Sequence, residues 1–299
     1  MVAGANDYPP MANEKNITLR HGALRFSALT AGTGPLVLCL HGFPDNARSW
    51  RHQLPVLAKS GYRAVAVTLR GYEPPSQPAD GDYSLDALAG DVLACIDELG
   101  ERKAHLIGHD WGAAIAYTAG ARAPERFYSL STLAVPPTGR FLNEALRHPK
   151  QLRRSWYMFL FQLRGLAERI IERDDYVFVR KLWRDWSPGW TLPEEALAEV
   201  IETFRQPGVT RAALAYYRTA LSFRTFTPKA RAANRFQVHV PTLALTGEYD
   251  RCIDPGVFQR MMHSEDFPLG LEVKQVADAG HFLHQEQVDA VNGLLLDWL

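Results

Sequence analysis

The sequence has few of the features that mark specialised classes of protein. Only three of its 299 residues are cysteines, Cys39, Cys95 and Cys252, and they stand far apart. No pairing uses all three, and their spacing does not match a metal motif, so we expect reduced thiols and a cytoplasmic location. Basic and acidic side chains balance at 33 each. The chain therefore lacks the net charge that would attract nucleic acid or an anionic membrane surface.

Long apolar runs are also missing. No stretch reaches the roughly 20 apolar residues that a membrane-spanning helix needs. Residues 1–15 are polar and contain proline, without the apolar core of a signal peptide, so we expect a loose N-terminal tail. The hydrophobic share of 46% is that of a globular protein with a substantial buried core.

Short apolar runs alternate with helical stretches along most of the chain. Because parallel strands buried on both faces read as continuous apolar runs, this order predicts an α/β fold with a mainly parallel sheet. An antiparallel hairpin is predicted for 16–30 at the sheet edge. The predicted later strands are 36–40, 62–69, the run ending at 109, 127–134, 242–246 and 271–277. The predicted helices are 49–59, 84–99, the one ending near 122, one after 255 and 285–299.

The strand signal stops after Val135-Pro136-Pro137 and returns only near residue 240. Aromatic and basic residues crowd into the intervening stretch. We therefore predict a helical cap at 137–225, inserted into a core domain formed by 16–136 and 226–299.

The stretch Leu106-Ile107-Gly108-His109-Asp110-Trp111-Gly112 runs from an apolar strand into a helix through a turn with two glycines. This is the layout of a nucleophile elbow, which exposes one side chain above the end of a sheet. The exposed position is usually serine in a G-x-S-x-G motif, but that motif is absent, which argues against a serine esterase. Asp110 occupies the position instead. A carboxylate there is already ionised at neutral pH and attacks carbon to form an ester.

Three other loops that follow predicted strands carry candidate residues: His41-Gly42-Phe43-Pro44, Gly247-Glu248-Tyr249-Asp250 and Ala279-Gly280-His281-Phe282. Functional residues of such sheets lie at the carboxyl ends of the strands, so these loops are expected to meet. With the elbow they supply a nucleophile, an acid and a base in the chain order that hydrolases of this type use.

With these motifs the chain resembles the epoxide hydrolases of the α/β-hydrolase superfamily, and haloalkane dehalogenases are close relatives. The resemblance extends from about residue 16 to the C-terminus. It implies an α/β-hydrolase fold with an eight-stranded sheet, helices on both faces and a helical cap. It also implies Asp110 as nucleophile, His281 as base, Asp250 as the acid that orients the base, and the backbone N–H groups of Phe43 and Trp111 as an oxyanion hole.

In this family two cap tyrosines donate protons to the epoxide oxygen. The segment around Tyr157 resembles the first tyrosine motif, although Arg164 stands where relatives often have proline. Tyr217 matches the second motif, and Tyr216 is a less favoured alternative. The resemblance further implies an aromatic substrate pocket, for which the candidates are Phe43, Trp111, Trp156, Phe161 and Phe282. The expected reactants are a small apolar epoxide and water, with no cofactor or metal; a homodimer is left open.

Some of these residues, and the activity itself, have alternative interpretations. Asp254 competes with Asp250 for the acid role, but it precedes Pro255 and fits a helix N-cap. His109 should point away from the substrate, and His284 should be structural. A dehalogenase is disfavoured because Phe43 replaces the expected halide-binding Asn, and a fluoroacetate-type enzyme because Trp111 replaces Arg. A non-catalytic ligand-binding protein of this fold would be expected to lack one of the three residues.

Overall fold

A computed structural model describes residues 14–221 and 237–299. Eight strands form one sheet in the order β1-β2-β4-β3-β5-β6-β7-β8. Their bounds are β1 Lys15–His21, β2 Leu24–Ala31, β3 Leu36–Leu40, β4 Arg63–Val67, β5 Ala104–His109, β6 Phe127–Leu133, β7 Thr242–Gly247 and β8 Leu271–Val276. The first two strands pair antiparallel and β2 also runs antiparallel to β4, whereas the remaining pairs are parallel. The predicted eight-stranded, mainly parallel sheet is confirmed.

The central strands are buried because helices cover both faces of the sheet. Every residue of β3, β5 and β7 is buried, which explains their continuous apolar sequences. The helices of the core are α1 Gln53–Lys59, α2 Leu85–Glu98, α3 Trp111–Arg122, α10 Pro255–Met261, α11 Leu283–Glu286 and α12 Val288–Trp298. The helices between β6 and β7 are α4 Phe141–Arg147, α5 Pro149–Arg154, α6 Trp156–Leu160, α7 Leu166–Trp186, α8 Glu194–Arg205 and α9 Val209–Ala220.

Two predicted helices begin differently from the expectation. The helix predicted for 49–59 starts at Gln53, because a separate 3-10 turn at Ala47–Trp50 precedes it, capped by the Asn46 side chain. The C-terminal helix predicted for 285–299 is divided at Gln287, whose backbone is non-helical. Helix α7 also contains a kink, since four residues from Arg173 onward leave helical geometry.

The segment between β6 and β7 contains helices and no strand in the part that the structure describes. Several buried hydrogen bonds join it to the core, two of them from aromatic side chains to backbone carbonyls. The Trp183 indole donates to the carbonyl of Pro44 at 2.8 Å, and the Tyr216 hydroxyl donates to the carbonyl of Arg70 at 2.7 Å. The predicted cap boundary at residues 225 and 226 lies outside the described residues, as do residues 1–13 of the predicted tail. Within the described ranges, no helix is both long and apolar enough to cross a membrane.

Candidate active site

Asp110 occupies the turn between β5 and α3. Its φ of 52° lies in the left-handed region, which costs energy for a residue with a side chain. The turn is tight because Gly112 packs directly against β3: a Cβ at this position would lie 2.2 Å from the carbonyl oxygen of Leu40. Asp110 is only 4% exposed. The sequence therefore folds here into the strained elbow that the glycine pattern predicts.

The loop after β3 meets the Asp110 carboxylate. The Phe43 N–H donates a hydrogen bond of 2.8 Å to Oδ1 of Asp110. The Phe43-Pro44 peptide bond is cis. Gly42 allows the approach, since a Cβ there would lie 2.4 Å from the Asp110 Cβ. One predicted oxyanion donor thus contacts the predicted nucleophile, and the other predicted donor, Trp111, follows Asp110 in the chain as the first residue of α3.

The loops after β7 and β8 bring an acid and an imidazole to the same place. His281 Nδ1 lies 3.0 Å from Oδ2 of Asp250, and Nε2 lies 3.5 Å from Oδ2 of Asp110. The other Asp250 oxygen accepts hydrogen bonds from the backbone N–H groups of Cys252 and Ile253 at 2.7 and 3.0 Å. Both His281 and Asp250 are buried. The geometry brings together all three residues of the predicted triad.

The charges around His281 favour its protonated form. Burial alone would lower the pKa of the imidazole, but the neighbouring carboxylates Asp250 and Asp110 outweigh burial and raise it to about 10. The two buried carboxylates therefore stabilise the imidazolium. Loss of the charge on Asp110 would remove part of this support, so that a larger fraction of His281 would be neutral and able to accept a proton.

Tyr157 of α6 and Tyr217 of α9 lie beside this group. Their rings are 5.8 Å apart, and the Tyr217 ring is 5.0 Å from Trp111. The Tyr157 hydroxyl lies 3.3 Å from the Cys252 thiol, whereas the buried Tyr217 hydroxyl has no hydrogen-bond partner among the described residues. Burial, followed by nearby negative charge, raises the pKa of both hydroxyls well above the usual value for tyrosine. Both therefore stay protonated and can donate.

Tyr216 does not share this position. Its hydroxyl is committed to the carbonyl of Arg70, which favours Tyr217 as the second donor. Arg70 itself is held by a buried ion pair with Asp91. The Tyr216 side chain thus connects α9 to the core below it.

Aromatic rings from the core and the helical segment enclose the site. Phe161 lies 5.4 Å from Phe43 and 5.0 Å from Tyr217, measured between ring centroids. Trp186, which the sequence did not single out for the site, packs 5.1 Å from Tyr157 and 5.0 Å from His281. The sequence signal for Trp186 is only its membership of an aromatic-rich stretch. These rings create an apolar surrounding for the buried polar groups.

Two predicted pocket residues lie elsewhere. Trp156 is 44% exposed and packs against Phe178, because its neighbour Tyr157 occupies the inward face of the short helix α6. The structure does not bring Trp156 to the site. Phe282 is fully buried among Trp183, Trp190 and the His281 ring, where it supports the base from its side.

The remaining candidate residues make contacts that suit structural roles. Asp254 accepts the N–H groups of Gly256 and Val257 as the N-cap of α10, so it is not available to orient His281. His109 Nε2 lies 2.9 Å from the carbonyl oxygen of His281, below the elbow. His284 Nε2 lies 2.6 Å from the Ser49 hydroxyl. These positions agree with the interpretation of all three from the sequence.

Among residues 14–221 and 237–299, two groups of buried side chains could hold a metal ion. Asp45, His109 and His284 form one group, and Asp110, Cys252 and His281 form the other; in each, the ligand atoms lie within 4.8 Å of one another. Cys252 was not foreseen as a site residue, because the three ligands come from three separate loops of the chain.

Comparison with known proteins agrees with this geometry. A family model described as the α/β hydrolase fold matches residues 35–287. Epoxide hydrolase 4 of Mus musculus is 33% identical over 97% of this chain and 80% of its own length. Epoxide hydrolase 3 of Siraitia grosvenorii is 33% identical over 95% of this chain and 98% of its own length.

Solved structures give the same result. An epoxide hydrolase from an endophytic Streptomyces superposes with a TM-score of 0.79 at 28% identity, covering 96% of both chains. A mutant epoxide hydrolase from Bacillus megaterium, complexed with a naphthyloxy-propanediol product, has a TM-score of 0.81 at 26% identity over 94% of this chain and 99% of its own. The chain therefore belongs to the epoxide hydrolase family of the α/β-hydrolase superfamily.

Proposed function

We propose that the protein hydrolyses epoxides to vicinal diols through a covalent ester on Asp110. One observation carries this proposal: a buried carboxylate on a strained elbow is held by the Phe43 N–H, faces His281, and lies near two buried tyrosines, Tyr157 and Tyr217. A carboxylate nucleophile, a base and a proton donor for oxygen are the three groups that the reaction needs.

The first step is attack of the Asp110 carboxylate on an epoxide carbon. The C–O bond to that carbon breaks as the ester bond forms, and the ring oxygen takes a proton from Tyr157 or Tyr217. A tyrosine is suited to this role because its hydroxyl is neutral in the buried site and close to the site of bond breaking. The phenolate that remains is a transient base inside the apolar enclosure.

The second step is hydrolysis of the ester. Once Asp110 is an ester its negative charge is gone, so the pKa of His281 falls and the imidazolium passes its proton to the tyrosine phenolate. The neutral imidazole then takes a proton from water as the water oxygen attacks the ester carbonyl, and the negative charge on the carbonyl oxygen is stabilised by the Phe43 N–H and, we propose, by that of Trp111. Collapse of this intermediate breaks the ester C–O bond, and the proton of the added hydroxyl passes to the departing alkoxide, which restores the Asp110 carboxylate and the His281 imidazolium and releases the diol.

The proposed substrates are epoxides with an apolar substituent. Phe161, Trp186 and Tyr217 surround the reacting groups with apolar ring surface. The Bacillus megaterium relative, with a bound aromatic ether diol as product, supports an aryl substituent.

Replacement of the base tests the two-step scheme. We expect His281→Gln to form the ester but not to hydrolyse it, so intact-protein mass spectrometry after incubation with a terminal aryl epoxide should show an increase equal to the mass of that epoxide. The matched control is the double variant His281→Gln and Asp110→Asn, which should stay unmodified. Absence of the adduct in the single variant, or its presence in the control, would contradict the assignment.

Isotope labelling gives an independent test. After repeated turnovers in heavy-oxygen water, the peptide that contains Asp110 should carry the label, because water attacks the carboxyl carbon of the ester. Label in the diol alone would mean that water attacks the epoxide directly.

A haloalkane supplied in parallel should not be turned over, whereas halide release would favour the dehalogenase alternative.

We also propose a cytoplasmic location. It is supported by the three cysteines, all buried and unpaired in the described structure.

A further inference from the structure

Cys252 is a buried thiol in the middle of the proposed catalytic group. Its sulfur, an oxygen of Asp110 and a ring nitrogen of His281 lie within 4.8 Å of one another. None of the three residues is more than 4% exposed. The proposed hydrolysis uses the carboxylate and the imidazole but gives the thiol no role.

We propose that Asp110, Cys252 and His281 are the ligands of a binding site for the divalent cations Zn²⁺ and Cd²⁺. Thiolate, imidazole and carboxylate are the three ligand types that zinc prefers, with bonds of roughly 2.0–2.3 Å. A set of three protein ligands leaves a fourth position open for water, as in many zinc sites. The separation of 3.5 Å between His281 Nε2 and Asp110 Oδ2 fits two ligands of one tetrahedral ion.

The surroundings of the ligands are already arranged for a metal. His281 Nε2 is fully buried and makes no hydrogen bond among the described residues; it lies 3.5 Å from Oδ2 of Asp110 and is therefore directed into the group. Its other nitrogen contacts Asp250 at 3.0 Å, which is the carboxylate–histidine arrangement that orients histidine ligands in metal proteins. The same Asp250 accepts the backbone N–H of Cys252 and thereby fixes the loop that carries the thiol.

Metal binding is coupled to proton release. The forms that bind a metal are the thiolate of Cys252 and a ring nitrogen of His281 without a proton, so the proton of the thiol and any proton on His281 Nε2 pass to solvent when the cation binds.

Occupancy of the site would stop the proposed hydrolysis. The cation would take the lone pairs with which Asp110 attacks the epoxide and His281 accepts a proton. The metal site is therefore inhibitory, and its binding is a property separate from epoxide turnover.

Cadmium binding tests the inference without any epoxide. Titration of the metal-free protein with Cd²⁺ should produce the ultraviolet thiolate-to-cadmium charge-transfer absorption and saturate at one equivalent. Cys252→Ser and Cys252→Val should lose this absorption and bind Cd²⁺ about 100-fold more weakly, since one of three ligands is gone. Cys95→Ser, which removes another buried thiol in α2, should leave the absorption unchanged.

Inhibition is measured in the same proteins. Zn²⁺ should reduce epoxide turnover of the wild type, and each Cys252 variant, compared with its own metal-free rate, should need about 100-fold more Zn²⁺ for the same loss. Absence of the cadmium absorption in the wild type, or its persistence in both Cys252 variants, would overturn the site. If the protein fails to hydrolyse epoxides, the cadmium titration still decides the metal site on its own.

Discussion

Tyr216 and Tyr217 are adjacent in the chain, yet their hydroxyls have opposite surroundings. We expect Tyr217→Phe to slow ester formation by about 10²- to 10⁴-fold, because it removes a proton donor to the epoxide oxygen. Tyr216→Phe should leave ester formation nearly unchanged and lower the free energy of unfolding by about 1 kcal/mol, because it removes one buried hydrogen bond to the carbonyl of Arg70.

Single-turnover kinetics and urea unfolding of both variants separate the two roles. Equal slowing of ester formation in the two proteins would mean that position 217 has no special part in epoxide opening. Slowing of ester formation only in the Tyr216 variant would mean that Tyr216, and not Tyr217, is the proton donor. A Tyr157→Phe protein serves as the reference for loss of the other donor.

The raised pKa of His281 depends on its carboxylate neighbours. Asp110→Asn removes one of the two negative charges that support the imidazolium, so the pKa should fall below the value of about 10 that holds in the wild type. Nitrogen NMR of the labelled imidazole measures this titration directly. A fall would reproduce, in a stable variant, the change that ester formation is proposed to cause, whereas an unchanged pKa would contradict the proposed activation of the base.

At the residue scale, the three residues that the motifs predict as nucleophile, base and acid lie together in the structure, because each of them follows a strand of one sheet at its carboxyl end. The roles of these residues remain predictions. Trp186 and Cys252 could not be located in this way. Both reach the site through the packing of separate segments, and neither lies in a local pattern that distinguishes it from other aromatic or thiol residues.

At the scale of secondary-structure elements, Gly42 and Gly293 form a matched pair for mutation. A Cβ at Gly42 would lie 2.4 Å from the Asp110 Cβ, whereas at Gly293 in α12 it would meet no heavy atom within 4 Å. We expect Gly42→Ala to displace the nucleophile and lower turnover about 100-fold, since displacements near 1 Å cost that much. Gly293→Ala should keep full turnover and stabilise α12 by about 1 kcal/mol.

Turnover and thermal unfolding of the two proteins provide the measurement. Full activity of Gly42→Ala would show that the loop after β3 can move aside without loss of the site. The comparison is informative because both substitutions add the same methyl group.

Element order was predictable from the sequence because apolar runs and helical stretches alternate regularly. The boundaries of the elements were less predictable from the sequence. The break at Gln287 depends on how α11 follows the loop of His281, and the turn before α1 depends on the Asn46 cap. The alternation of apolar residues records neither a single non-helical residue nor a side-chain cap, so it does not fix these boundaries.

For the whole molecule, the dependence of stability on pH has a contribution from Asp45. Burial raises the pKa of this carboxyl to about 7, although hydrogen bonds from Ser49, Asn46 and Gln285 lower it in part. The unfolded chain has the ordinary value near 3.8, so the folded protein binds the proton more tightly. This contribution to stability is fully present below that value and is lost as the pH rises through about 7.

Asp45→Asn removes this titration. The free energy of unfolding of the variant minus that of the wild type should therefore rise between pH 4 and pH 8, by about 4 kcal/mol, and be flat at lower pH. Urea unfolding across this range checks the prediction. A difference that does not change with pH would mean that Asp45 titrates alike in the folded and unfolded states.

The hydrogen bond from Trp183 to the carbonyl of Pro44 has a consequence for chimeric proteins. Pro44 follows Phe43, whose N–H donates to the carboxylate of Asp110, so one short loop is bound to Asp110 at one residue and to α7 at the next. A segment exchanged with that of a relative would need a donor at the place of the Trp183 indole to keep this loop in position. The helices between β6 and β7 therefore cannot be exchanged without regard to their sequence, because Trp183 helps to position the loop that contacts Asp110.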